Sequence, residues 1–349
     1  MNITKLQPLG WSNHFFQQLS MDEIETNNVS TFLFRVTAIH RTHIVGIGEF
    51  GTKQLIVPDD LQPVSQHLAV GDWLIAESAY EHFKIIRALP PKNRIERMSA
   101  DVNQLIASNV DYLWIVTSAN EEFNSKRLQR YLSMAYEFDV EPVIILTKTD
   151  LCEDIYEYLD QITALKVNNI HAVNMADLAS YQQLDVYFQS GNTIAMVGSS
   201  GVGKSTLINM VSDVEQLTND IREDDAKGKH TTTHRELFFC RNNVAIIDTP
   251  GMRGLELYDA QAGLEQTFDD VIQLTTMCKF NDCAHESEPK CAINKAITDG
   301  VISQTHYDNY LKLLREDEFQ KRKAGGAFAE KQHGRQWRKV IKAHKTDKY

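Results

Sequence analysis

The sequence has no long apolar run and few cysteines. No segment of its 349 residues approaches the ~18 to 20 continuous apolar residues of a membrane-spanning helix, and residues 1–20 lack the apolar core of a signal peptide. The five cysteines are odd in number and three are clustered, which favours metal ligation over disulfide bonds. We therefore expect a cytosolic protein without membrane contacts, and we take it to be a monomer. With 42% hydrophobic residues it can build the cores of two or three domains.

A glycine-rich phosphate loop is the most specific motif in the chain. It follows the short apolar run Thr193–Val197, suited to a buried parallel strand, and precedes an amphipathic segment typical of a helix start. Backbone N–H groups and the helix N-terminus would surround phosphate oxygens, while Lys204 reaches the β- and γ-phosphates and Ser205 ligates Mg²⁺. The motif residues are Gly198, Ser199, Ser200, Gly201, Val202, Gly203, Lys204 and Ser205, with Thr206 beside them.

A second phosphate-sensing loop is predicted 44 residues beyond Lys204. The sequence Asp248-Thr-Pro-Gly251 follows the apolar run Val244–Ile247. An Asp-x-x-Gly loop in this place contacts Mg²⁺ through water, by Asp248, and senses the γ-phosphate with the N–H of Gly251. Alone the tetrapeptide is more often a plain turn, but its distance from Lys204 favours the functional interpretation.

A base-reading loop is predicted at Thr147, Lys148, Thr149 and Asp150. The Asp150 carboxylate can accept from guanine N1–H and the exocyclic amino group, a pair of donors that adenine does not offer, while the Lys148 stem lies across the base. Related GTPases usually carry Asn where this chain has Thr147, and the Asn amide tethers the base loop to the phosphate loop. Because a threonine hydroxyl is shorter and has one donor, we expect lower nucleotide affinity with the guanine preference retained.

The two loops occur in the reverse of the usual order. In ordinary small GTPases the phosphate loop precedes the base-reading loop, whereas here Asp150 comes before Gly198. This order indicates a circularly permuted guanine-nucleotide domain. Strand and helix patterns alternate from Val110 onward, which predicts an α/β fold with a doubly wound parallel sheet. A third base-contacting loop would fall at residues 174–176, but its sequence matches poorly and no residue is assigned there.

The polar segment 219–235 has the composition of a loop that supplies a hydroxyl to Mg²⁺ once the γ-phosphate is present. Thr231 and Thr232 are both candidates for that ligand, and the sequence does not choose between them. Met252 follows Gly251, where Ras-like enzymes place a water-orienting Gln nearby, so we expect slow intrinsic hydrolysis. His230 is the candidate for the missing polar group, and the alternative is a histidine that bonds only locally.

A metal site is predicted from three cysteines and a histidine. Cys278, Cys283, His285 and Cys291 follow the spacing Cys-x4-Cys-x-His-x5-Cys within fourteen residues. Three thiolates and one imidazole complete a tetrahedral zinc site and leave no open position for water. The sequence therefore predicts one structural zinc ion, whereas Cys152 and Cys240 are isolated and are predicted to be packing residues.

The first part of the chain predicts a separate β-barrel. Short strand-like runs separated by glycines or turn residues fill residues 31–97. We predict an OB-fold, and an SH3-like barrel fits the pattern almost as well. Pro90, Pro91 and the polar stretch to Ser99 have the composition of a linker. The predicted domains are an N-terminal extension with the barrel in residues 1–97, the permuted GTPase domain in 98–260, and a zinc-binding helical domain with a basic tail in 261–349.

Charge is distributed unevenly along the chain. The net charge is -11, yet residues 320–349 hold ten Lys or Arg against Glu330 and Asp347, which leaves -19 for the remainder. Together with Phe328 and Trp337, this segment predicts either an arm that neutralises phosphates and stacks on bases or a solvated tail.

In their combination and order, these motifs resemble one family, the bacterial ribosome small-subunit-dependent GTPase A group. The resemblance spans about residues 30–320 and includes the base-reading loop, the phosphate loop, Gly228-Lys-His-Thr-Thr-Thr, Asp248-Thr-Pro-Gly and the cysteine-histidine cluster. It implies an OB-fold, a permuted GTPase domain that uses GTP or GDP with Mg²⁺, and a zinc-binding helical domain. It also implies a role in late maturation of the 30S subunit, contact with 16S rRNA, hydrolysis stimulated by the subunit, and use of His230 in hydrolysis.

Two other functions remain open at this point. One is an RNA-binding assembly factor in which GTP only orders the switch segments. The other, an ATP-dependent nucleic-acid enzyme, is disfavoured by Asp150.

Overall fold

The computed structural model divides into two compact units. Unit 1 consists of Met1–Arg97, Asn103–Tyr131 and Phe138–Leu255, and unit 2 of Met98–Val102, Leu132–Glu137 and Glu256–Tyr349. The residues that the structure describes are 2–24, 31–40, 43–59, 67–79, 82–99, 102–174, 176–211, 236–248, 260–280 and 282–324. The basic tail beyond residue 324 therefore lies outside the described residues.

A closed five-stranded barrel follows three short helices in unit 1. The helices are α1 (Ile3–Leu6), α2 (Asn13–Phe16) and α3 (Met21–Ile24), and the strands are β1 (Thr31–Ile39), β2 (Ile44–Gly48), β3 (Gly51–Ile56), β4 (Trp73–Ala79) and β5 (His82–Ala88). The strands lie in the order β1-β2-β3-β5-β4, and β4 closes the barrel on β1. Only β3 and β5 pair in parallel. Inward-facing residues such as Phe34, Leu74 and Ile85 form its buried core, which confirms the predicted barrel.

The predicted linker is wrong at its end. Residues Arg94–Ser99 form β6, which pairs with β7 (Val102–Ser108) in a sheet of two strands. The stretch is rich in charged residues, a composition that is typical of linkers. Ile95 is nevertheless fully buried. Pairing with β7 satisfies the backbone, and composition alone does not reveal that partner.

A mostly parallel sheet forms the remainder of unit 1. Its strands are β8 (Tyr112–Ser118), β9 (Glu141–Thr147), β10 (Ile170–Ala172), β11 (Thr193–Val197), β12 (Glu236–Phe239) and β13 (Ala245–Asp248). They lie in the order β10-β9-β8-β11-β13-β12, with only β12 antiparallel to its neighbour β13. All residues of β11 are buried, as expected for a parallel strand covered on both faces. The alternating helices include α4 (Ser125–Glu137), α5 (Tyr156–Thr163) and α6 (Lys204–Val211), which agrees with the predicted α/β class.

The barrel and the parallel sheet are joined along their edges. Ala38 of β1 pairs with Glu236 of β12 in antiparallel register, so that eleven strands form one continuous sheet. Without β1, the outer side of β12 would present unpaired backbone groups. The barrel strand therefore covers the edge of the nucleotide sheet at Glu236, the first residue of β12.

Unit 2 contains helices and an irregular loop. Its helices are α7 (Gln261–Thr267), α8 (Asp269–Thr276), α9 (Ala292–Thr298) and α10 (Gln304–Ala324), together with the last turns of α4. Phe268, Val271 and Ile293 are fully buried in it. No helix in the described part of the chain combines the length and apolar character that a membrane span requires.

Candidate nucleotide and metal sites

The predicted nucleotide loops lie at one edge of the parallel sheet. The base-reading loop follows β9, the phosphate loop follows β11, and Asp248 is the last residue of β13. These three strands run in the same direction, and β8 separates β9 from β11. Because carboxyl ends of parallel strands meet at one edge, the three loops lie along the same edge of the sheet. The fold thus brings together loops that lie far apart in the sequence.

The phosphate loop has the backbone shape that its glycines allow. Gly198, Gly201 and Gly203 all have positive φ angles. A Cβ atom on Gly198 would lie 2.3 Å from the carbonyl oxygen of Val116, so only glycine fits there. The Lys204 Nζ donates to the carbonyl oxygens of Gly198 at 2.8 Å and Ser199 at 2.6 Å. Ser205 and Thr206 are exposed in the first turn of α6, where a phosphate-bound Mg²⁺ would meet a hydroxyl.

Thr147 connects the base-reading loop to the phosphate loop. Its buried hydroxyl lies 2.6 Å from the carbonyl oxygen of Val202 and 3.0 Å from that of Thr117. A hydroxyl has one proton, so it donates to one of these two oxygens at a time, and Val202 is the closer acceptor. The expected shortfall in reach is therefore absent: the threonine side chain spans the gap because β9 and the phosphate loop approach closely.

The residues that are predicted to contact the base form an exposed turn directly after β9. Lys148 adopts a left-handed conformation with φ of 57°, and Thr149–Leu151 form one turn of 3₁₀ helix. Asp150 is exposed in that turn. Burial raises the pKa of Tyr181, and the Asp150 carboxylate adds to the shift, which places this buried phenol within electrostatic range of the predicted base-reading acid. Sequence patterns gave no signal for Tyr181.

Arg127 is a second neighbour that the sequence did not indicate. It lies in the first turn of α4, and its guanidinium donates to the Ser199 hydroxyl in the phosphate loop. Arg127 is separated from Ser199 by 72 residues, so no local motif connects the two. A fixed positive charge thereby lies beside the loop that is predicted to hold phosphates.

Several predicted nucleotide residues lie outside the described part of the chain. His230, Thr231, Thr232 and Gly251 belong to this group. Asp248 is described, and it pairs across the ladder with Glu236 in β12. Asn174, at the place where a third base-contacting loop would be expected but no residue is assigned, follows β10 at the same edge of the sheet, and its side chain accepts from the N–H of Ala176 at 2.8 Å.

The predicted metal ligands converge in unit 2. The ligand atoms of Cys278, Cys283, His285 and Cys291 all lie within 4.8 Å of one another. His285 Nδ1 is 3.5 Å from the sulfur atoms of both Cys278 and Cys291. Zn–S and Zn–N bonds of ordinary length in a tetrahedron separate sulfur from nitrogen by about 3.5 Å. The four residues therefore fit a closed tetrahedral zinc site, and His285 would bind through Nδ1.

The surrounding backbone orients these ligands. Cys291 is the N-cap of α9, and its sulfur accepts from the N–H of Asn294 at 3.4 Å. Burial opposes ionisation of Cys278, but hydrogen bonds from the N–H groups of Ala292 and Ile293 and from the Cys283 and Cys291 thiols together lower its pKa. Burial, followed by the neighbouring sulfurs, raises the pKa of Cys283 to about 11. A divalent cation would relieve the repulsion among these thiolates, which is a further sign that the cluster suits a metal.

Comparison with known proteins identifies the family. The sequence model of the RsgA GTPase family matches residues 88–258. A Vibrio parahaemolyticus protein named small ribosomal subunit biogenesis GTPase RsgA 2 is 40% identical over 346 residues, which cover 98% of this chain and 93% of that protein. The chain belongs to the RsgA GTPase family. Membership in the RsgA GTPase family makes the chain a GTP hydrolase, as the two nucleotide loops predicted.

Solved structures agree with the permuted fold of the RsgA family. YjeQ from Thermotoga maritima aligns with a TM-score of 0.61 at 23% identity, covering 82% of this chain and 98% of that one. YloQ, described as a circularly permuted GTPase, aligns with a TM-score of 0.60 at 23% identity, covering 84% and 97%. The inverted loop order is therefore a property of the fold.

A second sequence model, described as ABC transporter, matches residues 181–341. That range includes the phosphate loop, which many nucleotide-binding proteins share, but not the base-reading loop at Thr147. It covers less than half of the chain, and the RsgA relationship extends over nearly all of it.

Proposed function

We propose that this protein hydrolyses GTP in order to assist late maturation of the 30S ribosomal subunit, with slow intrinsic turnover that the subunit stimulates. The observation that carries the proposal is the Thr147 hydroxyl at 2.6 Å from the carbonyl oxygen of Val202, which joins the predicted guanine-reading loop to the predicted phosphate loop. Relatives that are 40% and 43% identical to this chain are named small ribosomal subunit biogenesis GTPases. The proposal assigns their role to this chain.

The nucleotide residues have distinct proposed roles. Asp150 selects guanine, and Lys148 covers the base. The phosphate-loop N–H groups and Lys204 hold the phosphates, and Ser205 with Thr231 or Thr232 ligates Mg²⁺. Asp248 binds Mg²⁺ through water and Gly251 senses the γ-phosphate. His230 is proposed to orient the attacking water, because Met252 occupies a place where related enzymes have a glutamine nearby.

The metal cluster is proposed to hold one zinc ion with a structural role. Three thiolates and an imidazole fill all four positions of a tetrahedron, so no position remains for a reacting water. Zinc would fix the loop between α8 and α9, which has little regular structure of its own. We also propose the domain division at residues 97 and 260, with the zinc-binding domain in 261–349.

The barrel is proposed to be an OB-fold that contacts 16S rRNA. Its strand order β1-β2-β3-β5-β4, with β3 and β5 parallel, supports an OB-fold over the SH3-like alternative. Such barrels bind single-stranded nucleic acid on one face. A ribosomal partner is found in the cytosol, which is where we propose that the protein acts as a monomer.

The proposal is tested by measuring GTP turnover with and without 30S subunits. Purified protein with Mg²⁺ should hydrolyse GTP slowly, and added 30S subunits should raise the rate severalfold. Equal turnover with and without subunits would refute the proposed function. Competition with ATP provides the control for base selection, because ATP should fail to displace GTP.

A second candidate is an RNA-binding assembly factor in which GTP binding is only a conformational switch. Met252 in place of a water-orienting polar residue favours it, because hydrolysis would then be incidental. Replacing His230 with Ala separates the two functions. A defect in subunit maturation with GTP binding intact supports the enzyme, whereas normal maturation despite lost hydrolysis supports the switch.

A further inference from the structure

Arg35 joins three separate parts of unit 1. It lies on β1 of the barrel and is 1% exposed. Its guanidinium donates to the carbonyl oxygen of Leu9 at 2.7 Å, to the hydroxyl of Thr193 at 2.6 Å and, over a longer 3.4 Å, to the carbonyl oxygen of Gly71. The N-terminal segment, the barrel and the nucleotide sheet therefore share one buried cation.

Thr193 connects this cation to the phosphate loop. It is the first residue of β11, and Gly198 follows immediately after the last one. The N–H of Thr193 also donates to the Asp111 carboxylate at 2.8 Å, so both its backbone and its side chain are held. Every residue of β11 is buried, and a buried strand transmits a displacement at one end to the other with little internal deformation.

A second connection runs across the strand ladder. Ala38 of β1 pairs with Glu236 of β12, and Glu236 pairs with Asp248 of β13. The backbones of β1 and Asp248 are thus two strand spacings, about 10 Å, apart. Glu236 is also the first described residue after the segment that contains Thr231 and Thr232. A shift of β1 would therefore reach the backbone of Asp248 through one intervening strand.

The chemistry of Arg35 makes its position sensitive to geometry. Burial lowers the pKa of Arg35 to about 10, and the nearby Asp111 and Asp72 carboxylates act in the opposite direction, so the guanidinium is charged at neutral pH. A buried charge is costly when its hydrogen bonds lengthen. Movement of β1 relative to β11 is therefore costly in free energy, unless the hydrogen bonds of Arg35 are replaced by others at the same time.

We propose that Arg35 is a positioning residue that couples ligand binding on the barrel to the nucleotide site, through Thr193 and through the ladder from β1 to Asp248. The inference rests on the proposed function, in which the barrel contacts rRNA of the small subunit. Arg35 touches no nucleotide and takes no part in the hydrolysis step. Its role is to keep β1 and β11 moving as one body.

The experiment compares four variants of the full chain. Thr193→Val removes the hydroxyl that accepts from Arg35 and keeps the size and branching of the side chain, while Thr193→Ser retains the hydroxyl. Arg35→Lys keeps the charge but loses the guanidinium fork. Arg87→Lys is the matched control, because Arg87 is also a barrel arginine but donates to Gln18 and Glu23 instead of the nucleotide sheet.

The first measurement is GTP turnover with and without 30S subunits. We expect Thr193→Val to change intrinsic turnover and GTP affinity less than about twofold but to lower the stimulation by 30S at least about fivefold, the lower limit of ordinary allosteric coupling. Thr193→Ser and Arg87→Lys should be stimulated like the wild type. Arg35→Lys should lose stimulation as Thr193→Val does, and if it fails to fold, the threonine pair carries the test.

The second measurement is the affinity for 30S subunits with GDP bound and with a non-hydrolysable GTP analogue bound. Coupling between two sites is reciprocal, so the ratio of the two affinities should approach one in Thr193→Val. If Arg35 had a purely structural role, the variants would have a lower melting temperature. The stimulation by 30S subunits and the ratio of the two 30S affinities would then stay as in the wild type. Thr193→Val stimulated like Thr193→Ser overturns the coupling, whereas a wild-type protein without stimulation overturns the proposed function itself.

Discussion

Thr147 is the residue on which the geometry of the nucleotide crevice depends most directly. Its hydroxyl is fully buried between the carbonyl oxygens of Thr117 and Val202, which belong to different segments. The hydroxyl can donate to only one of the two carbonyl oxygens at a time. A residue without a hydroxyl would leave both oxygens without this donor. The Thr147 hydroxyl therefore ties the end of β9 to the loop after β11.

We predict that Thr147→Val weakens binding of GTP and GDP about tenfold, which corresponds to about 1.4 kcal/mol. Valine has the same shape but leaves the Val202 carbonyl without its donor, so the two loops lose their connection. Isothermal titration with both nucleotides measures the effect. Thr147→Ser retains the hydroxyl and should bind nearly like the wild type; equal affinities for all three proteins would show that the tether is irrelevant to binding.

At the scale of elements, two helices of unit 2 cross at a glycine. A Cβ atom on Gly263 in α7 would lie 1.9 Å from the carbonyl oxygen of Ser133 in α4. The Gly263 N–H donates to the Glu137 carboxylate at 2.9 Å, and the Thr267 and Ser133 hydroxyls are hydrogen-bonded at 3.0 Å. Close approach of the backbones makes these polar contacts possible, and any larger residue would separate the helices.

We predict that Gly263→Ala lowers the free energy of unfolding by about 2 kcal/mol, because the overpacked helices must move apart. Gly300→Ala is the control: Gly300 has a φ of 73° and open space around its Cβ position, so only backbone strain of about 1 kcal/mol applies. Urea unfolding followed by circular dichroism measures both. A Gly263→Ala protein as stable as the wild type would mean that α4 and α7 separate at no cost.

The loop between α8 and α9 carries the four predicted metal ligands. Its regular structure is limited to turns, and the Glu288 carboxylate accepts from the N–H groups of Ala284, Glu286 and Ser287. Those hydrogen bonds fix the backbone around residues 284–288. The four predicted metal ligands bring the rest of the loop together. Metal binding would supply the free energy that a small core cannot.

We predict that Cys283→Ser lowers zinc affinity at least about a hundredfold, more than the loss of an outer-shell partner costs. A strong chelator should lower the melting temperature of the wild-type protein, and added zinc should restore it. Zinc content by mass spectrometry and thermal melting check both effects. The matched control is Cys152→Ser, because Cys152 lies outside the cluster; an identical loss in that variant would contradict a site at Cys278–Cys291.

At the scale of the whole molecule, charge separates the chain into an acidic body and a basic end. The net charge is -11, although residues 325–349 hold seven Lys or Arg against two acidic residues. These residues lie outside those that the structure describes. Binding to rRNA through such a segment releases counterions from the phosphates and must therefore weaken as salt increases.

We predict that deleting residues 325–349 weakens binding to 30S subunits and makes that binding less dependent on salt. If about four of the basic residues contact phosphates, the slope of log affinity against log salt should become less steep by about three. Intrinsic GTP turnover should not change. Filter binding between about 50 and 200 mM salt measures the slope; an unchanged slope would identify the segment as a solvated tail.

Local motifs predicted the glycine-rich turn, the helix after it and a convergent cysteine-histidine cluster, because each depends on residue types at fixed spacing. The phosphate loop and the helix after it, the acidic end of β13 and the cysteine-histidine cluster occur where the sequence placed them. Prediction failed where partners are distant. The strand β6 contradicts the predicted linker, because its charged residues conceal the pairing with β7.

The sequence by itself determined the nucleotide chemistry and the permuted order of its loops. Those features depend on residue types at short spacing, and such spacings can be recognised without knowledge of any long-range contact. Only the tertiary structure decided that Thr147 reaches Val202, that Arg127 meets Ser199, and that Arg35 joins the barrel to β11. These contacts join residues 55 to 158 positions apart, and such pairs meet because strand order in the sheet, which no local pattern encodes, brings them together.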